Sequence, residues 1–182
     1  LPRPINVATI NFKKLQFWTD NPRIGGWIFN RAEETANTIT HEDVMNFLLS
    51  DEGSKKYEIK ELAKSILEMT LEGRLMVNKL EDNTFLVFEG NRRLAALQHI
   101  WNLSNHNLEK VPHYAQEVEC DVYLNLTDDE MHRLCEFQHG DHVKKKWTPY
   151  DSALSYKLRM SRENKKIEDL SINKRSINKI KR

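Results

Sequence analysis

Phe85-Leu86-Val87-Phe88-Glu89-Gly90-Asn91-Arg92-Arg93-Leu94-Ala95-Ala96-Leu97 is the stretch on which the reading of the fold turns. Its first four residues are apolar without alternation, as in a strand covered on both faces. Leu94, Ala95, Leu97 and the later Ile100 fall at helical spacing. The strand therefore runs directly into a helix through Glu89-Gly90-Asn91-Arg92-Arg93. A glycine there takes a left-handed turn that a Cβ would block, or lets the backbone approach a ligand. N–H groups at a helix start lack intrahelical partners and carry partial positive charge, so an anion is welcome. Arg92 and Arg93 add planar, permanently charged donors that match phosphate oxygens. Two cations in succession at a helix N-terminus oppose the macrodipole and require a compensating partner. Consecutive residues cannot both face one way, so one arginine is expected on the ligand and one bracing the fold. The bland alternative is a pair of surface arginines.

Working outward, Leu75–Leu80 and Thr84–Phe88 flank the polar turn Glu81-Asp82-Asn83 and read as a hairpin. A helix is expected before it from about Glu58, with Ile59, Leu62, Ala63, Ile66 and Leu67 on one face, stopping near Gly73. Thr40-His-Glu-Asp43 and Thr127-Asp-Asp-Glu130 fit capping boxes. The first opens a helix with Val44, Phe47 and Leu48 inward, the second one with Met131, Leu134 and Cys135 inward. Short strands are expected at Ile5–Ile10, Leu15–Trp18 and Val118–Leu124. A turn is expected at Asp20-Asn21-Pro22-Arg23 and Gly25-Gly26. The fold class is α/β: a small mixed sheet with flanking helices, then an all-helical C-terminal segment.

The chain has 182 residues, 39% hydrophobic and 30% charged, which suits one core and part of a second. No window approaches 18 consecutive apolar residues, so no membrane partner is expected. The start at Leu1 and the end in a charged helical pattern read as a fragment of a longer protein. Cys120 and Cys135 form no CxxC pair, which fits a reducing cytoplasm and a cytoplasmic location. The net charge of +1 hides a division. Val143–Arg182 holds 13 Lys and Arg against 4 Asp and Glu, a net of +9, and the remaining 142 residues carry −8. Either the tail meets a polyanion or it is a solvated helix surface.

The run from Leu75 to Ile100 resembles the second box of the ParB/sulfiredoxin superfamily, written G-E-R-R-x-x-A in ParB proteins. Other features stand in that family's order. Asn21-Pro22-Arg23 resembles the first box, Glu58–Leu71 the helix before the hairpin, and Val111-Pro112 with the strand to Leu124 the family's I-P-V strand. Glu136-Phe137-Gln138-His139 stands in the place of the third phosphate-binding segment, E-N-x-x-R. The resemblance implies a domain over residues 1–141 that binds CTP or ATP, with or without Mg²⁺, in a DNA-binding homodimer. It places Gly90, Asn91, Arg92, Arg93, Gln138 and His139 on the phosphates. Asn21, Pro22 and Arg23 come toward the base and ribose. Glu89 and Glu136 are the candidate catalytic carboxylates, Glu136 also toward Mg²⁺. Asn91 replaces the acid of the family box, and Phe137 and Gly140 replace the Asn and Arg of the third segment, so binding rather than hydrolysis is the expectation. Sulfiredoxin chemistry needs a nucleophilic cysteine in the turn where Asn91 stands.

From Trp147 onward the chain resembles the DNA-binding half of ParB-like proteins, and residues 142–182 are expected to form part of a helix-turn-helix. Ile172, Ile177 and Ile180 would be inward and Asn173 would cap the recognition helix. Lys174, Arg175, Asn178 and Lys181 would face DNA, where Lys and Arg meet phosphates and Arg and Asn read base edges. The rival is a basic amphipathic helix for protein contact. His132, Cys135, His139 and His142 have metal-like spacing, but Cys135 also fits a core position. Two further readings stay open. One is a metal-dependent nuclease or phosphotransferase using Glu89 or Glu136; the other is an interaction module with a vestigial pocket.

Overall fold

A computed structural model describes residues 1–35 and 38–139 of the chain. These fall into two compact units. The larger unit is Arg3–Thr19 with Thr40–Leu126, and the described part of the smaller one is Leu1–Pro2, 20–35, 38–39 and 127–139. The segment 142–182 expected to bind DNA, and with it the expected boundary after residue 141, lie outside the described residues.

The larger unit is built on β1 (Asn6–Asn11), β2 (Leu15–Phe17), β3 (Leu75–Lys79), β4 (Phe85–Glu89) and β5 (Glu117–Leu124). They form a mixed sheet in the order β1-β5-β3-β4-β2. The outer pair β1/β5 and the hairpin β3/β4 are antiparallel, while β5/β3 and β4/β2 are parallel. The α/β class and mixed sheet expected from sequence are present. β4 lies inside the sheet, which accounts for its unbroken apolar run. Its Val87 and Phe88 are fully buried, each contributing about 1.5–3 kcal/mol of hydrophobic stabilisation.

In the smaller unit, α1 (Gly25–Thr35) occupies the place where a turn at Gly25-Gly26 was expected. Asn21 caps a single 3₁₀ turn over Pro22–Ile24 and Pro22 sets its φ, so the chain is already winding when it reaches Gly25 at φ −52°. Each helical glycine costs only about 1 kcal/mol, which burial of Ile24 and Ile28 offsets. The larger unit continues with α2 (His41–Leu49), α3 (Asp51–Lys56) and α4 (Ile59–Glu68). α2 opens on the expected capping box of Thr40 and Asp43. α3, not foreseen, comes at once because Ser50 caps it, and because Gly53 sits so close to Phe47 O that a Cβ would fall 2.0 Å from it.

α4 packs on α5 (Asn91–Leu103), with Ile59, Ala63 and Ile66 on one side and Leu94, Ala95 and Leu97 on the other buried. α6 (His113–Gln116) leads directly into β5. Along β5, Val118, Cys120 and Val122 are buried as expected, whereas Leu124 is exposed at the strand end. α7 (Asp128–His139) belongs to the smaller unit and turns Met131, Leu134 and Cys135 inward. No helix among the described residues is long and apolar enough to cross a membrane.

Candidate functional site

The β3/β4 register shifts between Met76 and Val77: Met76 faces Glu89 while Val77 faces Val87. Phe88 is thus the extra residue of a bulge, a feature that bends a strand and re-aims the chain beyond it. The strand then gives way to Gly90, which lies in the left-handed region at φ 103° and serves as N-cap of α5. A Cβ there would lie 2.4 Å from Leu75 Cδ2. The glycine is therefore needed both for its φ and for its close packing.

Asn91 turns inward. It is buried, its Nδ2 donates to Val87 O at 2.9 Å, and its Oδ1 accepts from Trp18 N at 3.4 Å. A carboxylate in that place would lose the donor to Val87 O, so an amide suits the position. Asn91 thus ties the turn to β4 and to the residue after β2.

Arg92 and Arg93 diverge, as consecutive helical residues must. Arg92 Nε donates to Tyr57 O at 2.7 Å, and its Nη2 lies 3.3 Å from Glu58 Oε2. Arg93 Nη1 donates to the carbonyls of Glu72, Gly73 and Arg74 at 3.1, 2.9 and 2.9 Å. Its Nη2 lies 3.9 Å from Glu89 Oε1. Both guanidinium groups are bonded to protein groups around the turn. The compensation that two arginines require at a helix N-terminus comes from protein groups, namely four carbonyls and the carboxylates of Glu58 and Glu89. Glu89, a candidate catalytic carboxylate, is Arg93's ion partner.

The turn also offers an anion its backbone. Gly90 has no side chain to cap α5, and the first turn of α5 holds no acid. Its leading N–H groups carry the positive end of a 13-residue helix.

The remaining candidates lie in the smaller unit. Asn21 is buried and its Oδ1 accepts from Arg23 N at 3.0 Å. Pro22 is buried and Arg23 half-buried. Glu136, Gln138 and His139 belong to the last turn of α7. Glu136 and Gln138 are half-buried, Phe137 between them is exposed, and His139 is buried. Asp20 and His132, which sequence reasoning did not pair, join these two segments: Nε2 of His132 lies 2.9 Å from Asp20 Oδ2, both buried. The available signal was the position of His132 beside Met131 and Cys135 on the apolar face of α7, a residue read only for its metal-like spacing. Among the described residues no group of three His, Cys, Asp or Glu is placed to hold a metal ion; His142 lies outside them. Cys120 is buried in β5, and that burial pushes its thiol up to about 12, far from nucleophilic range.

The described residues therefore define a mixed α/β protein in which an interior strand ends at a glycine-initiated, uncapped helix. No family model matches the chain, and no curated protein matches it. Among solved structures it is similar to the C-terminally truncated chromosome-partitioning protein ParB from Caulobacter crescentus. The complex with CTP-gamma-S aligns at 16% identity and TM-score 0.46, over 96% of this chain and 70% of that one. The complex with the centromeric parS site aligns at 17% identity and TM-score 0.43, over the same shares.

Proposed function

We propose that this chain binds nucleotide phosphates at the start of α5 and is a ParB-like, DNA-binding protein in which the nucleotide acts as a switch. The observation that carries the reading is the opening of α5 on Gly90, without a capping side chain and without an acid in its first turn. Phosphate oxygens accept hydrogen bonds from such N–H groups and complement the helix dipole. Arg92 and Arg93 hold the turn in shape through their protein partners and stay among the candidates for phosphate contact. The nucleotide is CTP or ATP, with Glu136 the candidate carboxylate for an accompanying Mg²⁺. Asn21, Pro22, Arg23, Gln138 and His139 are the further ligand-contacting candidates. Lys174, Arg175, Asn178 and Lys181 are the proposed DNA contacts, and occupancy of the site governs DNA engagement or self-association into a homodimer.

Calorimetric titration of the purified chain with CTP, ATP and GTP, each with and without Mg²⁺, tests this directly. Saturable binding of at least one nucleotide is expected. At a hundredfold excess over its dissociation constant, that ligand adds about 2.7 kcal/mol to apparent stability. No heat with any of the three, together with unchanged melting temperatures, contradicts the proposal.

A further inference from the structure

Asp20 and His132 lie 112 positions apart in the chain and meet inside the smaller unit. Their side chains are 10% and 2% exposed, with His132 Nε2 2.9 Å from Asp20 Oδ2. Asp20 immediately precedes the Asn21 turn. In that turn Arg23 N donates to Asn21 Oδ1, Ile24 N to Asn21 O and Gly25 N to Pro22 O. His132 stands one helical turn before Glu136 on α7. Removing a carboxylate and an imidazole from water opposes folding, and an apolar pair of similar volume would fill such a place at least as well. What a hydrogen-bonded pair adds is direction: it fixes both the separation and the rotation of the elements that carry it.

We infer that Asp20 and His132 form a positioning latch. It holds the Asn21-Pro22-Arg23 turn on the helix that carries Glu136, Gln138 and His139, so that the two segments are presented to ligand as one piece. The ligand part of this inference rests on the proposed function; the latch itself rests on the pair's geometry. Neither residue touches the nucleotide.

The test uses the full chain as wild type, His132→Leu, His132→Gln and Asp20→Asn, each checked by far-ultraviolet circular dichroism. Gln carries an amide N–H at about the place of the imidazole Nε2, so it is the conservative variant. Two quantities are read: hydrogen exchange at the amides of Arg23, Ile24 and Gly25, and calorimetric affinity for the nucleotide that wild type binds. His132→Leu is expected to speed exchange at these amides and to weaken nucleotide binding tenfold or more, with His132→Gln recovering most of both. Asp20→Asn, which keeps an acceptor oxygen, should behave like His132→Gln. A folded His132→Leu protein with wild-type exchange at the three amides overturns the latch, as does a glutamine variant no better than leucine. If wild type binds nucleotide and folded His132→Leu binds it equally well, the inference fails while the proposed function stands. If wild type binds none of CTP, ATP and GTP but the exchange pattern is as expected, the latch stands and the nucleotide reading fails.

Discussion

The helix starts of α5 and α7 solve the same problem in opposite ways. At α7, Thr127 Oγ1 accepts from Glu130 N, and the Glu130 carboxylate accepts from Thr127 N at 2.9 Å. Asp128, Asp129 and Glu130 further place negative charge at the positive end of the dipole. α2 repeats the arrangement with Thr40 and Asp43. Such a start is self-sufficient: its donors and its dipole are answered within four residues. At α5 a glycine replaces the capping side chain, two arginines replace the acids, and the arginines are answered from Tyr57, Glu58, Glu72–Arg74 and Glu89. α4 also begins without a side-chain cap, at Glu58, yet it has Glu61 in its first turn and Arg92 beside its cap residue. The first turn of α5 supplies no anion of its own, and the surrounding chain is arranged to keep it in shape.

This contrast is open to attack by substitution, beginning where the effect is largest. Gly90→Ala places a Cβ 2.4 Å from Leu75 Cδ2 in a left-handed backbone. Left-handed strain and overpacking together are expected to cost about 3 kcal/mol or more, read by denaturant unfolding. Asn91→Ala leaves the buried Val87 carbonyl and Trp18 N–H without this partner. A loss of about 2 kcal/mol is expected in the same assay. Thr127→Ala and Thr40→Ala each remove a cap, for about 1 kcal/mol, and both should leave nucleotide affinity unchanged. If a capping variant weakened nucleotide binding as much as a change in the α5 turn did, the division between the two kinds of helix start would not hold.

Much of the larger unit was legible because its signals are local. The apolar run Phe85–Phe88, the polar hairpin turn, the α4 stripe and the Thr40 capping box each encode their element within a few residues, and each element is present, although Leu67 at the end of the α4 stripe is exposed. The Thr127 box did the same for α7 in the smaller unit. Local signals failed where a neighbouring turn decided the outcome. Gly25-Gly26 reads as a break, but the capped 3₁₀ turn before it carries the chain into α1. Ser50 and the close approach of Gly53 to Phe47 O produce α3 without any apolar period. At the candidate site the sequence identified the glycine turn but not the protein partners of its arginines. Besides the carboxylates of Glu58 and Glu89, their partners are carbonyls 19 to 35 positions away, and a backbone carbonyl has no residue-specific signature. Distance in sequence also hid the Asp20–His132 pair.

Backbone amide chemical shifts of the labelled full chain, recorded while CTP–Mg²⁺ and then ATP–Mg²⁺ are added, test the central claim most directly. Saturable shifts are expected at the amides of Gly90, Asn91, Arg92 and Arg93 with at least one of the two nucleotides, and none at the capped amide of Glu130. Saturable binding that leaves the amides of Gly90–Arg93 unmoved would contradict the claim.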